Sequence, residues 1–156
     1  MKKYVSILLA AAITLTAASC GKRNITTDTS SEYIGYWECT TLILDGEDTG
    51  EHFPNTEIPI YTFYNLTLGN DGKGVLSSPM GDFISNMTGS EKESSQLFTW
   101  ESDETSVTLK GDTEADVIKL DYTDGKLIMN KNDDTHTIEV YFSRVDAFTE
   151  YDFPKN

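Results

Sequence analysis

Apolar and polar residues alternate in short stretches from Tyr33 onward, and Gly, Asp and Asn separate these stretches. Alternation with a period of two is typical of β-strands that bury one face, and the chain shows no long stretch with helical spacing. The sequence therefore predicts an all-β protein. The predicted strands are eight in number, with the bounds 34–44, 58–69, 73–78, 95–101, 105–110, 115–122, 125–130 and 135–145.

The joints between the predicted strands are short. Asp71-Gly72 and Asp124-Gly125 are pairs that accept the positive φ angles of a two-residue hairpin turn. Further clusters of Asp, Gly and Asn separate the later strands. We therefore expect a continuous antiparallel up-and-down meander, in which strands that are neighbours in sequence are also neighbours in the sheet.

The alternation also predicts which side chains point inward, because residues two apart in a strand share one face. In the last strand, Ile138, Val140 and Phe142 lie on one face, and Arg144 follows them inward at the end of the strand. Both outer strands of the meander therefore contribute an apolar face to the predicted core. The inward face of the first strand is predicted to consist of Trp37, Cys39, Thr41 and Ile43.

Composition and charge exclude several classes of function. The 156 residues include 12 Lys or Arg and 26 Asp or Glu, so the formal net charge is −14. Nucleic-acid binding depends on clustered Lys and Arg, which this chain lacks beyond residue 23, so we expect no nucleic-acid partner. With only 2 His and 2 Cys, we expect no metal site, no cofactor and no enzymatic activity. The length fits a single domain.

The N-terminus has the features of an export signal. Lys2 and Lys3 precede an almost wholly apolar stretch, 5–18, that is short for a membrane-spanning helix. Small residues then lead into Cys20 in the order Leu-Thr-Ala-Ala-Ser-Cys-Gly. This junction resembles the signal of bacterial lipoproteins, although Ala17 stands where the strongest motif has leucine. The resemblance implies cleavage directly before Cys20 and acylation of its thiol and amine, and an ordinary secretory signal with a spare thiol is the alternative.

Residues 1–19 are the predicted signal peptide, and the segment that follows them is predicted to be a flexible tether. Residues 20–32 are small and polar, and span about 40 Å when extended. Cleavage leaves 10 basic and 26 acidic residues, a net charge of −16, so attachment to a membrane must come from the acyl chains on Cys20. The absence of Asp at position 21 resembles the outer-membrane pattern, which implies a lipid-anchored protein of the bacterial cell envelope. The acidic tail, 146–156, suggests no role from its sequence.

Three short motifs resemble those of bacterial lipocalin-like lipoproteins. The sequence Ile-Gly-Tyr-Trp-Glu at 34–38 is similar to the Gly-x-Trp opening strand of lipocalin-like domains. The sequence Phe-Ser-Arg-Val at 142–145 is similar to their closing segment. Between them, Leu-Gly-Asn-Asp-Gly-Lys-Gly at 68–74 is similar to their strand and turn with Asp-Gly-x-Gly.

This resemblance covers residues 33–145 and implies a lipocalin-like barrel of eight antiparallel strands. It also implies that Trp37 of the first strand stacks against Arg144 of the last strand and closes one end of the barrel, next to Gly35. A guanidinium group over an indole is a favourable contact, so these residues are expected to be structural. An open β-sandwich would fit the same strands.

The histidine and cysteine residues of the predicted barrel are expected to have structural roles and not catalytic ones. His52 follows the carboxylates of Asp48 and Glu51, which suggests a metal or acid–base cluster but is typical of a solvated acidic loop. If Cys20 is acylated, Cys39 is the remaining thiol, and we expect it to be a small buried hydrophobic residue.

Two hypotheses about function remain open. In the first, the barrel binds a small apolar or amphipathic ligand through a mouth framed by the irregular segments 45–57 and 79–94. The interior candidates for this pocket are Tyr64, Leu66, Phe98, Trp100 and Phe142. In the second hypothesis, the same side chains fill the core, and the domain acts through its surface on a protein partner in the cell envelope.

Overall fold

The computed structural model describes residues 31–89, 94–132 and 134–154. Besides the strands, these ranges contain a 3₁₀ helix, Ile60–Thr62, and helix α1, Pro79–Thr88. The strands are β1 (Gly35–Leu44), β2 (Glu47–Asp48), β3 (Asn65–Leu68), β4 (Lys73–Ser77), β5 (Ser95–Ser102), β6 (Ser106–Lys110), β7 (Val117–Thr123), β8 (Lys126–Asn132) and β9 (Thr137–Val145).

The strands form a closed antiparallel barrel. From β3 to β9 each strand pairs with its neighbours in sequence, and β1 pairs with both β3 and β9. Eight strands thus close the barrel in meander order, while the two-residue strand β2 extends β1 as a hairpin. This confirms the predicted all-β meander of about eight strands, and the pairing of β1 with β9 excludes the open β-sandwich. The architecture is consistent with a lipocalin-like barrel.

The predicted inward face is correct for β9 but only half correct for β1. Ile138, Val140 and Phe142 are all buried. In β1, the pairing with β9 shifts register between Cys39 and Thr41, so that Thr40 is an extra, bulged residue. A bulge of one residue exchanges the two faces of a strand beyond it. The apolar side chains that β1 buries are therefore Trp37, Cys39 and Leu42, and the prediction that Thr41 and Ile43 point inward is wrong.

The second predicted strand, 58–69, is too long. Only Asn65–Leu68 pairs as a strand, and a 3₁₀ helix occupies Ile60–Thr62. Pro59 lacks a backbone N–H and holds φ at −67°, and the Thr62 hydroxyl donates to the carbonyl of Pro59 at 2.7 Å. These local bonds favour a turn over continued strand pairing.

The predicted irregular segment 79–94 contains a helix, which is a further correction. Helix α1 begins after Ser78, whose hydroxyl accepts a hydrogen bond from Gly81 N at 3.0 Å, and it ends at Gly89 with φ +66°. Its apolar residues recur at intervals of three and four, which is the helical spacing that would have revealed it. These residues are Met80, Phe83, Ile84 and Met87.

The Asp-Gly pairs form turns of different kinds. Asp124 and Gly125 both have positive φ and join β7 to β8 by the predicted two-residue turn. The β3–β4 loop is longer than predicted, because Gly69 N bonds Lys73 O and only Gly72 has positive φ. A third pair at positions 45 and 46, inside the segment predicted to be irregular, forms a two-residue turn between β1 and β2.

The barrel has two ends, which differ in their connections. The closed end carries the start of β1, the end of β9 and the short turns 69–72, 103–105 and 124–125. The far end carries the long segment 45–64, helix α1 and the remaining connections. One continuous apolar core runs between the two ends.

Candidate functional site

The closed end is crossed by the segment 31–34, directly before β1. Tyr33 is buried, its hydroxyl donates to the carbonyl of Asp103 at 2.9 Å, and its ring meets Tyr122 edge-on at 5.0 Å. The indole Nε1 of Trp37 donates to the carbonyl of Tyr33 at 2.8 Å. Side-chain bonds to this backbone therefore hold the segment over the end of the barrel.

Trp37 and Arg144 lie opposite one another in the β1–β9 pair, as the motifs imply. Trp37 is 1% exposed, whereas Arg144 is exposed. Arg144 shares the strand parity of the buried residues Val140 and Phe142 and lies one residue before the end of β9. The guanidinium donates to the carbonyls of Ser31 and Glu32 at 3.4 Å. Arg144 thus ties down the crossing segment.

Gly35 is required where Arg144 passes. Its φ is +142°, a conformation that side chains with a Cβ atom rarely adopt. A Cβ atom added to Gly35 would lie 3.1 Å from Arg144 Nε. The ring that meets the indole of Trp37 at this end is Tyr122, edge-on at 6.5 Å.

The five interior pocket candidates lie together in the core. Leu66 and Phe142 are fully buried, and Tyr64 and Phe98 are nearly so. Trp100 is half-buried near the closed end, where its Nε1 donates to a backbone carbonyl in the 69–72 turn at 2.9 Å. All five belong to or pack against one continuous apolar cluster. Four residues of the segments 45–64 and 79–94 also belong to this cluster: Phe53, Ile60, Phe63 and Met80.

Burial raises the pKa values of two groups in the core, the Cys39 thiol and the Tyr64 hydroxyl. Desolvation raises the pKa of the Cys39 thiol to about 12, and its Sγ donates weakly to the carbonyl of Thr41 at 3.7 Å. Burial likewise raises the pKa of the Tyr64 hydroxyl. A thiol with a raised pKa is a poor nucleophile at neutral pH, so Cys39 acts as a small buried hydrophobic residue. Across residues 31–89, 94–132 and 134–154, no three His, Cys, Asp or Glu side chains are grouped to hold a metal ion.

The C-terminal tail packs along the outside of the barrel. Thr149 donates from its backbone N–H and its hydroxyl to the carboxylate of Glu38, at 2.6 and 3.0 Å. Glu38 is only 5% exposed, so these two bonds satisfy a carboxylate on an otherwise covered outer face of β1. Aromatic rings of the tail also meet three elements of the barrel, in the pairs Tyr36–Phe148, Tyr61–Tyr151 and Phe83–Phe153.

A cleft of about 500 Å³ lies on the outside of the barrel, beside the bulge in β1. Its walls are formed by residues 38–41 of β1, by 48–52 and by 59–61. The cleft exists because β1 stops pairing with β3 after Glu38, and the segment 45–64 folds back to fill only part of the gap. The sequence analysis singled out the acidic residues before His52 as a candidate cluster. It did not indicate that β1, beside its bulge, and the 3₁₀ helix form the other walls of the cleft.

Cys20 and the rest of the predicted signal and tether, through residue 30, lie outside the described residues. Within the ranges that the structure covers, no helix is both long enough and apolar enough to cross a membrane.

Comparison with known proteins adds no relative: no family model, no curated protein and no solved structure matches the chain. Its function therefore has to be inferred from its own residues and geometry.

Proposed function

We propose that this protein is a lipid-anchored, lipocalin-like protein of the bacterial cell envelope that acts through its outer surface. The anchor is the acylated Cys20, the tether is 20–32, and the outer membrane is the site of attachment. The barrel is a rigid platform that binds a protein partner; it performs no catalysis and carries no ligand in its interior.

The packing of the interior carries this proposal. A ligand-binding barrel needs a cavity, commonly of about 300 to 1,000 Å³, and its large side chains then line a space instead of filling it. Here all five interior candidates join or pack against one continuous core. Buried apolar residues of the two far-end segments, which were expected to frame the mouth, belong to the same core. This arrangement favours the filled-core hypothesis over the carrier hypothesis.

The position of the tether supports an outward orientation. The described chain starts at the closed end, where Arg144 and Trp37 hold the segment 31–34. A tether attached at this end leaves the far end and the outer cleft free to face away from the bilayer. The net charge of −16 on the mature chain adds repulsion from anionic lipid headgroups.

The first test is native mass spectrometry of residues 20–156 carrying Cys20→Ser. We expect the bare mass of the chain in repeated preparations, because a filled interior leaves no space for cargo. A reproducible added mass that is lost on denaturation would overturn the filled-core proposal and would identify the cargo by its weight.

The anchor is tested in the full-length chain by incorporation of labelled palmitate. We expect Cys20→Ser to abolish labelling and to release the protein from the membrane fraction. The matched control is Cys39→Ala, which replaces the buried thiol with another small residue and should leave the labelling unchanged. Labelling that persists in Cys20→Ser would contradict the proposed anchor.

A further inference from the structure

The outer cleft combines an apolar floor with acidic walls. Pro59 and Tyr61 contribute apolar and aromatic surface on one side. Asp48 and Glu51 contribute carboxylates on the same segment. The volume of about 500 Å³ is in the range of pockets that hold small ligands or single large side chains.

Three carboxylates and the imidazole of His52 line the cleft. No Lys or Arg lines the cleft, and in the described part of the chain neither Asp48 nor Glu51 forms an ion pair. The Asp48 carboxylate accepts one hydrogen bond, from Gly50 N at 2.9 Å, and Glu38 adds a third carboxylate at the β1 wall. A concave surface lined by one sign of charge concentrates the electrostatic potential and attracts a group of the opposite charge.

We propose that this cleft binds the cationic side chain of a lysine or arginine presented by a protein partner. The apolar floor fits the methylene stem, and the carboxylates fit the ammonium or guanidinium head. The ring of Tyr61 adds a surface on which a cation binds favourably. Charge complementarity favours a basic partner, because the mature chain carries a net charge of −16.

Contacts with the tail and within the segment 45–64 hold the walls of the cleft. Thr149 of the tail holds the Glu38 carboxylate, and Tyr151 packs edge-on against Tyr61 at 6.4 Å. The bridge between His52 and Pro59 fixes the opposite wall. A preformed cleft loses little conformational entropy on binding. This inference rests on the proposed surface-acting function and adds the chemistry of the partner.

The test is an NMR titration of ¹⁵N-labelled residues 20–156 carrying Cys20→Ser, with the capped tripeptide Ala-Arg-Ala. We expect amide shifts concentrated at 38–41, 48–52 and 59–61. The neutral peptide Ala-Gln-Ala should cause none of these shifts. The double variant Asp48→Asn, Glu51→Gln should weaken binding about fivefold, since each exposed ion pair contributes modestly.

The matched control removes the same two charges elsewhere at the far end, through Asp112→Asn and Glu114→Gln, which are both exposed. We expect this control to bind the arginine peptide as the parent chain does. If the control variant binds the arginine peptide as weakly as the double variant does, the proposed cleft site is wrong. Amide shifts scattered over the acidic surface would also contradict it. Putrescine binding tenfold more tightly than the peptide would also overturn the proposal, in favour of a free amine. None of these results affects the bare mass expected for a filled barrel, so the two proposals fail separately.

Discussion

The closed end and the far end of the barrel use the same strands but are held together in different ways. At the closed end, short turns join the strands, and the segment 31–34 is tied down by Trp37 and Arg144. At the far end, a long segment, a helix and the distant C-terminal tail pack together through aromatic rings. The closed end is thus built from short turns and from hydrogen bonds of Tyr33, Trp37 and Arg144 along one crossing segment, whereas the far end is built from aromatic contacts among three segments.

This difference indicates that the far end is the part of the barrel where sequence changes are tolerated and where binding residues can lie. Long connections on a rigid scaffold tolerate change in sequence and commonly carry binding residues. The outer cleft lies on this side of the molecule, between β1 and the segment 45–64. At the closed end, in contrast, Tyr33, Trp37 and Arg144 are engaged in hydrogen bonds that hold the crossing segment.

The largest effect is expected from Trp37→Ala at the closed end. The indole is 1% exposed and donates to the carbonyl of Tyr33, so its loss should lower the free energy of unfolding by about 3 to 5 kcal/mol. Urea denaturation of the soluble chain measures this change. Met80→Ala, which removes an equally buried side chain of α1 at the far end, should cost about 2 kcal/mol, because the helix can shift to fill the space. A larger loss for Met80→Ala than for Trp37→Ala would contradict the comparison.

A smaller and local effect is expected from Phe153→Ala in the tail. Phe153 stacks on Phe83 of α1, with ring centroids 4.6 Å apart, and it also meets Tyr151. Its removal should lower the free energy of unfolding by about 1 kcal/mol and speed hydrogen exchange of the α1 amides about fivefold.

The closed end should not respond to the Phe153→Ala change, so the amide of Trp37 should keep its exchange rate. Met87→Ala is the control in the same helix, since Met87 is 54% exposed and its removal should leave exchange in α1 nearly unchanged. Faster exchange at both ends after Phe153→Ala would show that they form one cooperative unit.

The smallest effect is expected from the pH dependence of the closed-end turn 103–105. Hydrogen bonds from Thr105 and Ser106 lower the pKa of the Asp103 carboxyl from its usual value. The stabilisation is therefore present above the unfolded pKa, about pH 4, and is lost as the pH falls through the lowered folded value. Asp103→Asn should be slightly less stable than the parent chain at pH 7 and equally stable in strong acid, as measured by urea midpoints. A difference that does not change with pH would contradict this assignment, and Asp121→Asn is the charge-matched control.

Local signals in the sequence account for much of the fold. The alternation in β9 identifies its buried face, and the Asp124-Gly125 pair identifies a two-residue turn, because both depend only on nearby residues. The same local signal occurs at Asp45-Gly46, where the turn between β1 and β2 forms. The spacing of Met80, Phe83 and Ile84 is likewise a local signal, typical of the helix that forms there.

The sequence by itself determined the strand order, the later turns and most of the apolar core, because backbone alternation and positive φ are local properties. Only the tertiary structure decided the bulge at Thr40, since it lies in the β1–β9 pairing just beyond Glu38, where β1 stops pairing with β3. The docking of the tail likewise depends on Glu38 and Thr149, which are 111 residues apart. The outer cleft follows from both, and contacts between residues so far apart leave no periodic pattern along the chain.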